Sequence, residues 1–167
     1  LKDQPVHWTV AANCDHVQYL YKLYCGATVV NTSSWTSDAT FTYTPDAVGS
    51  YALSVSARLG SLTASKVSPV TKVYVPLTLD TFTADKENAA TGDKITWTAT
   101  ATGGEGTKYY QYKLYRGATV VETTAWLTAN TYEYRAAVAG NYAVSLTVKD
   151  NTGNVRKTSK VTIVSEP

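Results

Sequence analysis

The stretch Tyr-Leu-Tyr-Lys-Leu-Tyr-Cys-Gly-Ala-Thr-Val-Val, from Tyr19 to Val30, returns as Tyr-Gln-Tyr-Lys-Leu-Tyr-Arg-Gly-Ala-Thr-Val-Val from Tyr110 to Val121. In the second occurrence Tyr110, Tyr112 and Leu114 alternate with Gln111 and Lys113, which puts the large apolar side chains on one face of an extended strand. The Arg-Gly-Ala step from Arg116 then turns the chain into Thr119-Val120-Val121. Outward from this stretch the match continues at one offset: Trp35 returns as Trp126, Phe41 and Tyr43 as Tyr132 and Tyr134, Gly49 and Tyr51 as Gly140 and Tyr142. Upstream the offset shortens by two residues, so Trp8 matches Trp97 and the second repeat carries a longer loop at Gly103-Gly104-Glu105-Gly106. A chain of 167 residues that repeats itself in this way holds two domains of one design.

The remaining segments also read as short strands. Ile95, Trp97, Ala99 and Ala101 alternate with threonines, and Tyr142, Val144, Leu146 and Val148 form another inward row. Asp150-Asn151-Thr152-Gly153-Asn154 is a hairpin loop, followed by a last strand from Val155 to Val164. Thirteen Tyr and four Trp, with abundant Thr and Val and no Met, suit a pleated, half-buried surface. The expected fold class is all-β: two tandem immunoglobulin-like β-sandwich domains, residues 1–75 and 76–167. Domains of this size bury a sufficient core without metal or disulfide. Their junction, Val73-Tyr74-Val75-Pro76-Leu77, has no Gly/Ser run, and a short link containing Pro is expected to be stiff, giving a rod-like pair.

A more specific motif is Asp46-Ala47-Val48-Gly49-Ser50-Tyr51, in which the Tyr hydroxyl can bond back to upstream backbone where a sandwich chain turns into its penultimate strand. The second repeat keeps Gly140 and Tyr142 but has Arg135 and Ala137 nearby instead of the acid, so a weaker corner is expected there. Through Gly49 to Val55, Gly140 to Asp150 and Thr91-Gly92-Asp93-Lys94-Ile95-Thr96-Trp97, the chain resembles bacterial immunoglobulin-like surface repeats of the polycystic-kidney-disease and triple-tyrosine types. The resemblance covers nearly all of both repeats. It implies an extracellular, multi-domain protein in which such modules serve as spacers or as adhesive and glycan-contacting units, and it does not imply catalysis.

One departure separates the repeats. The second has a full first strand, Leu77 to Ala84, whereas the first begins only a few residues ahead of the strand carrying Trp8. Its opening strand is expected to be missing or borrowed from a neighbour, the chain starting inside a longer one. The sheet edge left bare would be a liability.

The net charge of +2 comes from scattered Lys and Arg with no basic run, so nucleic acid is not expected as a partner. No stretch approaches the apolar length of a membrane-spanning helix, and the first residues contain no signal-peptide core.

Residues with reactive chemistry are few. His7, Cys14, His16 and Cys25 all fall in the first repeat and invite a zinc site, but no paired-ligand spacing is present. His7, alternating with Val6 and Trp8, is expected to point away from the face that Cys25 shares with Tyr21 and Leu23. A Cys14–Cys25 disulfide competes with free thiols. Free thiols are favoured, because an extended Tyr19 to Cys25 strand would hold the two sulfurs some ~20 Å apart against a bridging limit of about 7 Å between Cα atoms. Cys14 and His16 lack a third member for nucleophilic catalysis. Glu105, Glu122 and Glu133 read as solvated residues rather than paired catalytic acids, and Asp150, Asn151 and Asn154 as turn residues rather than calcium ligands. No enzyme activity, metal or cofactor is expected.

Aromatic residues are the remaining candidates. Alternation assigns Trp8, Trp97, Tyr21 and Tyr112 to the core. Tyr24 and Tyr115 fall on the opposite parity and, with Trp35 and Trp126, are the candidate ligand contacts, flat surfaces on which a sugar ring could stack. The competing reading is that they cover a sheet edge or the domain junction. The expected function is a non-catalytic extracellular repeat module, a stiff spacer or adhesin stalk of a larger bacterial surface or secreted protein whose first partners are other domains of the same polypeptide. The alternative is a module binding glycan or a host or cell-surface protein through these aromatics or the sandwich-end loops.

Overall fold

Period-two burial runs through both repeats in the computed structural model, which describes every residue from Leu1 to Pro167. The chain divides into two units, Leu1–Val75 and Pro76–Pro167. Unit 1 contains β1 (Val6–Thr9), β2 (Gln18–Cys25), β3 (Thr28–Thr32), β4 (Thr40–Tyr43), β5 (Gly49–Leu59), β6 (Leu62–Val67) and β7 (Thr71–Val73). One of its sheets is β1-β4, and the other is β3-β2-β5-β6, with β7 also pairing β5.

Unit 2 contains β8 (Thr78–Ala84), β9 (Asn88–Ala90), β10 (Lys94–Thr102), β11 (Tyr109–Arg116), β12 (Thr119–Thr123), β13 (Thr131–Arg135), β14 (Gly140–Asp150), β15 (Gly153–Thr158) and β16 (Thr162–Ser165). Its sheets are β13-β10-β8 and β12-β11-β14-β16-β9, with β15 also on β14. The β9–β16 pair is parallel and the others in this unit are antiparallel. No helix is present, so none is long and apolar enough to cross a membrane.

Two strands that read as continuous or absent in the sequence come out differently. The run from Val155 to Val164 is two strands, β15 and β16, with a break at Ser159 to Val161. Ser159 Oγ accepts from the Val144 N–H at 3.0 Å and donates to the Lys160 carbonyl at 2.8 Å, so a side chain stands in for a ladder bond where the chain shifts along β14. Ser68 does the same in unit 1, accepting from the Leu53 N–H at 3.0 Å ahead of Pro69. β9 is three residues long and has no alternation to announce it.

The core of unit 2 is closed on every side. Ile95 and Trp97 of β10, Tyr112 and Leu114 of β11 and Val144, Leu146 and Val148 of β14 are all 0% exposed. Phe82 of β8 packs against them with its ring centroid 6.2 Å from that of Tyr112. In unit 1 Tyr21, Leu23, Tyr51 and Leu53 form the equivalent centre. Trp8, Val55 and Ala57, the counterparts of Trp97, Leu146 and Val148, are only partly buried. The expectation that Trp8 is a core residue like Trp97 therefore needs correcting. No strand lies outside β1, so one side of the indole is uncovered.

Tyrosine hydroxyls lock the chain at two repeated points. On the central strands, Tyr21 donates to the Asp38 carbonyl at 2.8 Å and Tyr112 to the Ala129 carbonyl at 3.1 Å. At the corners, Tyr51 donates to the Ala47 carbonyl at 3.0 Å and Tyr142 to the Val138 carbonyl at 2.8 Å. The second corner, expected to be weaker for want of an acid, is closed by the same bond. In both units the acceptor is a backbone carbonyl four residues back, so the bond itself requires no acidic side chain.

Burial first, then the hydrogen bond with Cys25, pushes the Tyr51 hydroxyl from its ordinary value of 10.0 up to about 12. A phenol whose pKa is raised by folding contributes stability that is whole below its unfolded value and is lost as pH rises through the folded one. Unit 1 should therefore weaken between pH 10 and about 12. Tyr51→Phe should reduce that dependence, leaving the part due to Tyr21, whose hydroxyl burial also raises, and cost about 1 kcal/mol at neutral pH, the net worth of one hydrogen bond. Tyr142→Phe should cost unit 2 a similar amount. Urea titrations across pH, followed by tryptophan fluorescence, measure all three effects.

Candidate ligand-contact surface

The four aromatic candidates occupy matched places in the two units. Tyr24 and Tyr115 sit near the ends of β2 and β11, half-buried, on the face opposite the core. Each follows a register shift in the hairpin ladder, between Leu23 and Tyr24 and between Leu114 and Tyr115, beside turns built on Gly26 and Gly117 at φ 59 and 58. Trp35 and Trp126 precede an isolated bridge to the central strand, Thr36 to Tyr19 and Leu127 to Tyr110. Trp35 is half-buried, and Trp126 is 37% exposed.

Every one of these rings carries a cation from its own unit. Arg58 lies 4.1 Å from the Trp35 ring centroid and Lys149, its counterpart on β14, lies 4.1 Å from that of Trp126. Lys22 stands 5.7 Å from the Tyr24 ring and Lys113 stands 5.5 Å from the Tyr115 ring. The Arg58 guanidinium is also held by two hydrogen bonds to Gln18 Oε1, at 3.0 and 2.8 Å. One face of each indole is thus capped from within, which fits a role in holding the loop before β4 or β13 against the sheet.

The two loops of unit 2 singled out in the sequence meet at one end of its sandwich. Asp150 Oδ2 accepts from the Glu105 N–H at 3.0 Å, and the Glu105 carbonyl accepts from the Asn151 N–H at 3.1 Å. Asp150 Oδ1 accepts from the Thr152 N–H and hydroxyl, both at 2.7 Å. Burial works to raise the Asp150 carboxyl, but the bonds from Thr152 and Glu105 outweigh it and hold the group below its ordinary range. Gly104, at φ 68, lies so close that a Cβ there would run into the Asp150 carboxylate. Asp150 is therefore occupied with joining the two loops.

The other reactive residues do not converge. His7 is exposed, its Nδ1 2.8 Å from the Thr42 hydroxyl on the outer face. Cys14 and Cys25 are free thiols, Cys14 exposed and Cys25 partly buried against the unit 1 core. Glu133 pairs with Lys94 at 2.8 Å, and Glu122 accepts from the Tyr132 hydroxyl at 2.9 Å. Burial and that bond raise the Tyr132 pKa.

Sequence reasoning passed over Ser33 and Thr124, whose hydroxyls accept from the Tyr21 and Tyr112 N–H groups at 2.9 and 3.0 Å. Their signal was the repeat itself, a hydroxyl retained at one offset. It also passed over an apolar cleft of about 890 Å³ in unit 1, lined by Trp8, Val10, Leu53 and Val55 among others. The bare sheet edge expected in the first repeat pointed to that cleft, though alternation alone gave neither its lining nor its size.

Two predictions test these assignments. In a double-mutant cycle of Lys149→Ala and Trp126→Ala, the coupling energy should be about 0.5–1 kcal/mol of unit 2 stability, the usual worth of an exposed cation–aromatic pair. Gly104→Ala should destabilise unit 2 and raise the Asp150 pKa toward its ordinary value, because the Glu105 N–H is displaced. Carboxylate titration by NMR reads that shift.

No family model matches the chain, and no curated protein matches its sequence. Among solved structures, it is similar to the amphioxus IgVJ-C2 molecule, at 16% identity and TM-score 0.56, covering 94% of this chain and 95% of that one. It is similar to Dpr2 Ig1-Ig2 in complex with DIP-Theta Ig1-Ig3, at 14% identity and TM-score 0.51, covering 99% of this chain and 63% of that one. It is also similar to the three N-terminal domains of the bacteriophage RB49 Highly Immunogenic Outer Capsid protein, at 14% identity and TM-score 0.50, covering 99% of this chain and 65% of that one. At such identities the likeness concerns the backbone arrangement, and it agrees with the strand order above: the chain is two tandem immunoglobulin-like β-sandwiches.

Proposed function

We propose that this chain is a non-catalytic extracellular repeat module, a stiff spacer or adhesin stalk in a larger bacterial surface or secreted protein. The observation that carries this reading is that the residues repeated between the units are engaged in the fold. Tyr21 and Tyr112, Tyr51 and Tyr142, Trp35 and Trp126, and Ser68 and Ser159 each make the same internal bond or ring contact in both. Repetition of structural contacts with no repeated cluster of reactive groups fits a module multiplied for length. The short link between Val73 and Thr78, with Pro76 in it, supports stiffness. The resemblance to the polycystic-kidney-disease and triple-tyrosine modules supports the bacterial surface setting and localisation outside the cell.

A second reading has one observation in its favour. Trp126 is the most solvent-exposed of the four candidate aromatics, and Leu127 beside it is 38% exposed, a surface on which a glycan ring or an apolar protein side chain could rest. A glycan array and a pull-down with the intact chain distinguish the two. A spacer gives no saturable binding. Reproducible binding that falls in Trp126→Ala or Tyr115→Ala, with the circular dichroism unchanged, would overturn the spacer reading in favour of recognition.

A further inference from the structure

Charge is divided unevenly between the two faces of the larger sheet of unit 2. Its strands β11, β12, β14 and β15 carry two acids, Glu122 and Asp150, and neither belongs to the outer face. Glu122 pairs across from the core residue Leu114 and accepts from Tyr132. Asp150 shares the parity of Val148 and is held by Glu105 and Thr152. The outward positions hold three cations: Lys113 between Tyr112 and Leu114, Lys149 after Val148, and Arg156 opposite Thr147. None of the three forms an ion pair, whereas Lys94 and Lys86 of the same unit are neutralised by Glu133 at 2.8 Å and by Asp93 at 3.4 Å. Distant in sequence, these cations are gathered on one face by strand pairing.

Two of them stand beside the exposed rings. Lys149 lies 4.1 Å from the Trp126 ring centroid and pairs across from Tyr109, which is 40% exposed. Lys149 and Arg156 are diagonal corners of a block whose other corners are Asn154 and Thr147, so their Cα atoms lie about 8 Å apart. Arg156 Nε donates to the buried Ser145 hydroxyl at 2.7 Å, which fixes the guanidinium and leaves its two terminal nitrogens as a fork for a carboxylate. Unit 1 lacks this last piece. Its equivalent sheet has no acid on any strand and keeps Lys22 and Arg58 outward, but Ser65 stands in the place of Arg156, and the Arg58 guanidinium is taken up by Gln18.

We propose that the outer face of unit 2 around Trp126, Lys149 and Arg156 is a seat for a carboxylate-bearing glycan, a chain of uronic acid sugars. This rests on the second reading above, recognition of a glycan at Trp126, and adds the class of glycan. A sugar ring rests on the Trp126 and Tyr109 side, its carboxylate meets Arg156 and Lys149, and Asn154 and Thr147 bond its hydroxyls. An occupant with negative charge is selected because the face offers cations with no acid to oppose them. A sparsely charged chain suits the spacing, since Lys113 lies about 14 Å from Lys149. A nucleic acid duplex, with one charge for each ~1.7 Å of axis, is far denser.

The probes are a hexamer of galacturonic acid and its methyl ester, which has the same shape without the charge, titrated into the intact chain labelled for NMR. The expected result is saturable binding of the acid that shifts Lys149, Arg156 and the Trp126 indole, leaves unit 1 unmoved and weakens as salt rises from about 50 to about 500 mM. The ester and the Arg156→Gln variant should each lower the affinity about tenfold to a hundredfold, the effect of losing a charged hydrogen bond. Lys157→Gln, a cation of core-side parity bonded to the Asp80 carbonyl, should leave it unchanged. If Arg156→Gln alters the circular dichroism, the ester carries the test. Equal binding by the ester would overturn the proposal and leave glycan recognition standing. Equal binding by a thymidine decanucleotide or a glutamate decapeptide, or an equal loss in Lys157→Gln, would overturn it too, since the face would then read charge alone. No saturable binding anywhere on a glycan array would remove the recognition reading and the proposal with it.

Discussion

A sandwich stands only when the apolar inner face of one sheet is covered by the other, and each unit here is organised by how that cover is supplied. The central pairs β2–β5 and β11–β14 each present an unbroken row of tyrosine and aliphatic side chains to one side. Water on that side would cost roughly 25 cal/mol for each Å² of apolar surface left exposed, so the width of the second sheet governs the strength of the unit. Unit 2 meets the requirement with three strands, and its central row is dry from Val144 to Val148. Unit 1 has two strands for the same task, and exposure rises along the row from Tyr51 and Leu53 to Val55 and Ala57, toward the side that lacks cover.

Around these cores the polar groups do a uniform job. Hydroxyls of Tyr21, Tyr51, Tyr112 and Tyr142 and of Ser33, Ser68, Thr124 and Ser159 all bond to backbone groups where the chain leaves regular pairing. A buried backbone group without a partner is costly, and in a fold with many short strands such departures are frequent. The abundance of Tyr, Ser and Thr is therefore a structural need as much as a packing preference. The cations over Trp35 and Trp126 extend this pattern to the outer face, where long basic side chains lie along aromatic rings and keep their charge in water.

The interlocked loops of unit 2 show how an insertion can be absorbed. Two extra residues ahead of β11 give the chain Gly104 and Gly106, both at positive φ, and these let the backbone come close enough for the Glu105 N–H to meet Asp150. The Asp150 carboxylate is thereby occupied as a strut between the two loops.

The sequence by itself determined the fold class, the repeat, the inward rows of β2, β10, β11 and β14, and the corner at Tyr51. All of these follow from local alternation or from residue types with a single common use. It also separated Tyr24 and Tyr115 from the core by parity. What it could not determine depends on residues distant along the chain. The half-buried state of Trp8, the break between β15 and β16, the short parallel strand β9, and the cations lying over Trp35 and Trp126 each depend on a partner from another part of the chain. Alternation tells which way a side chain points, but only the packed structure decides whether anything is there to meet it.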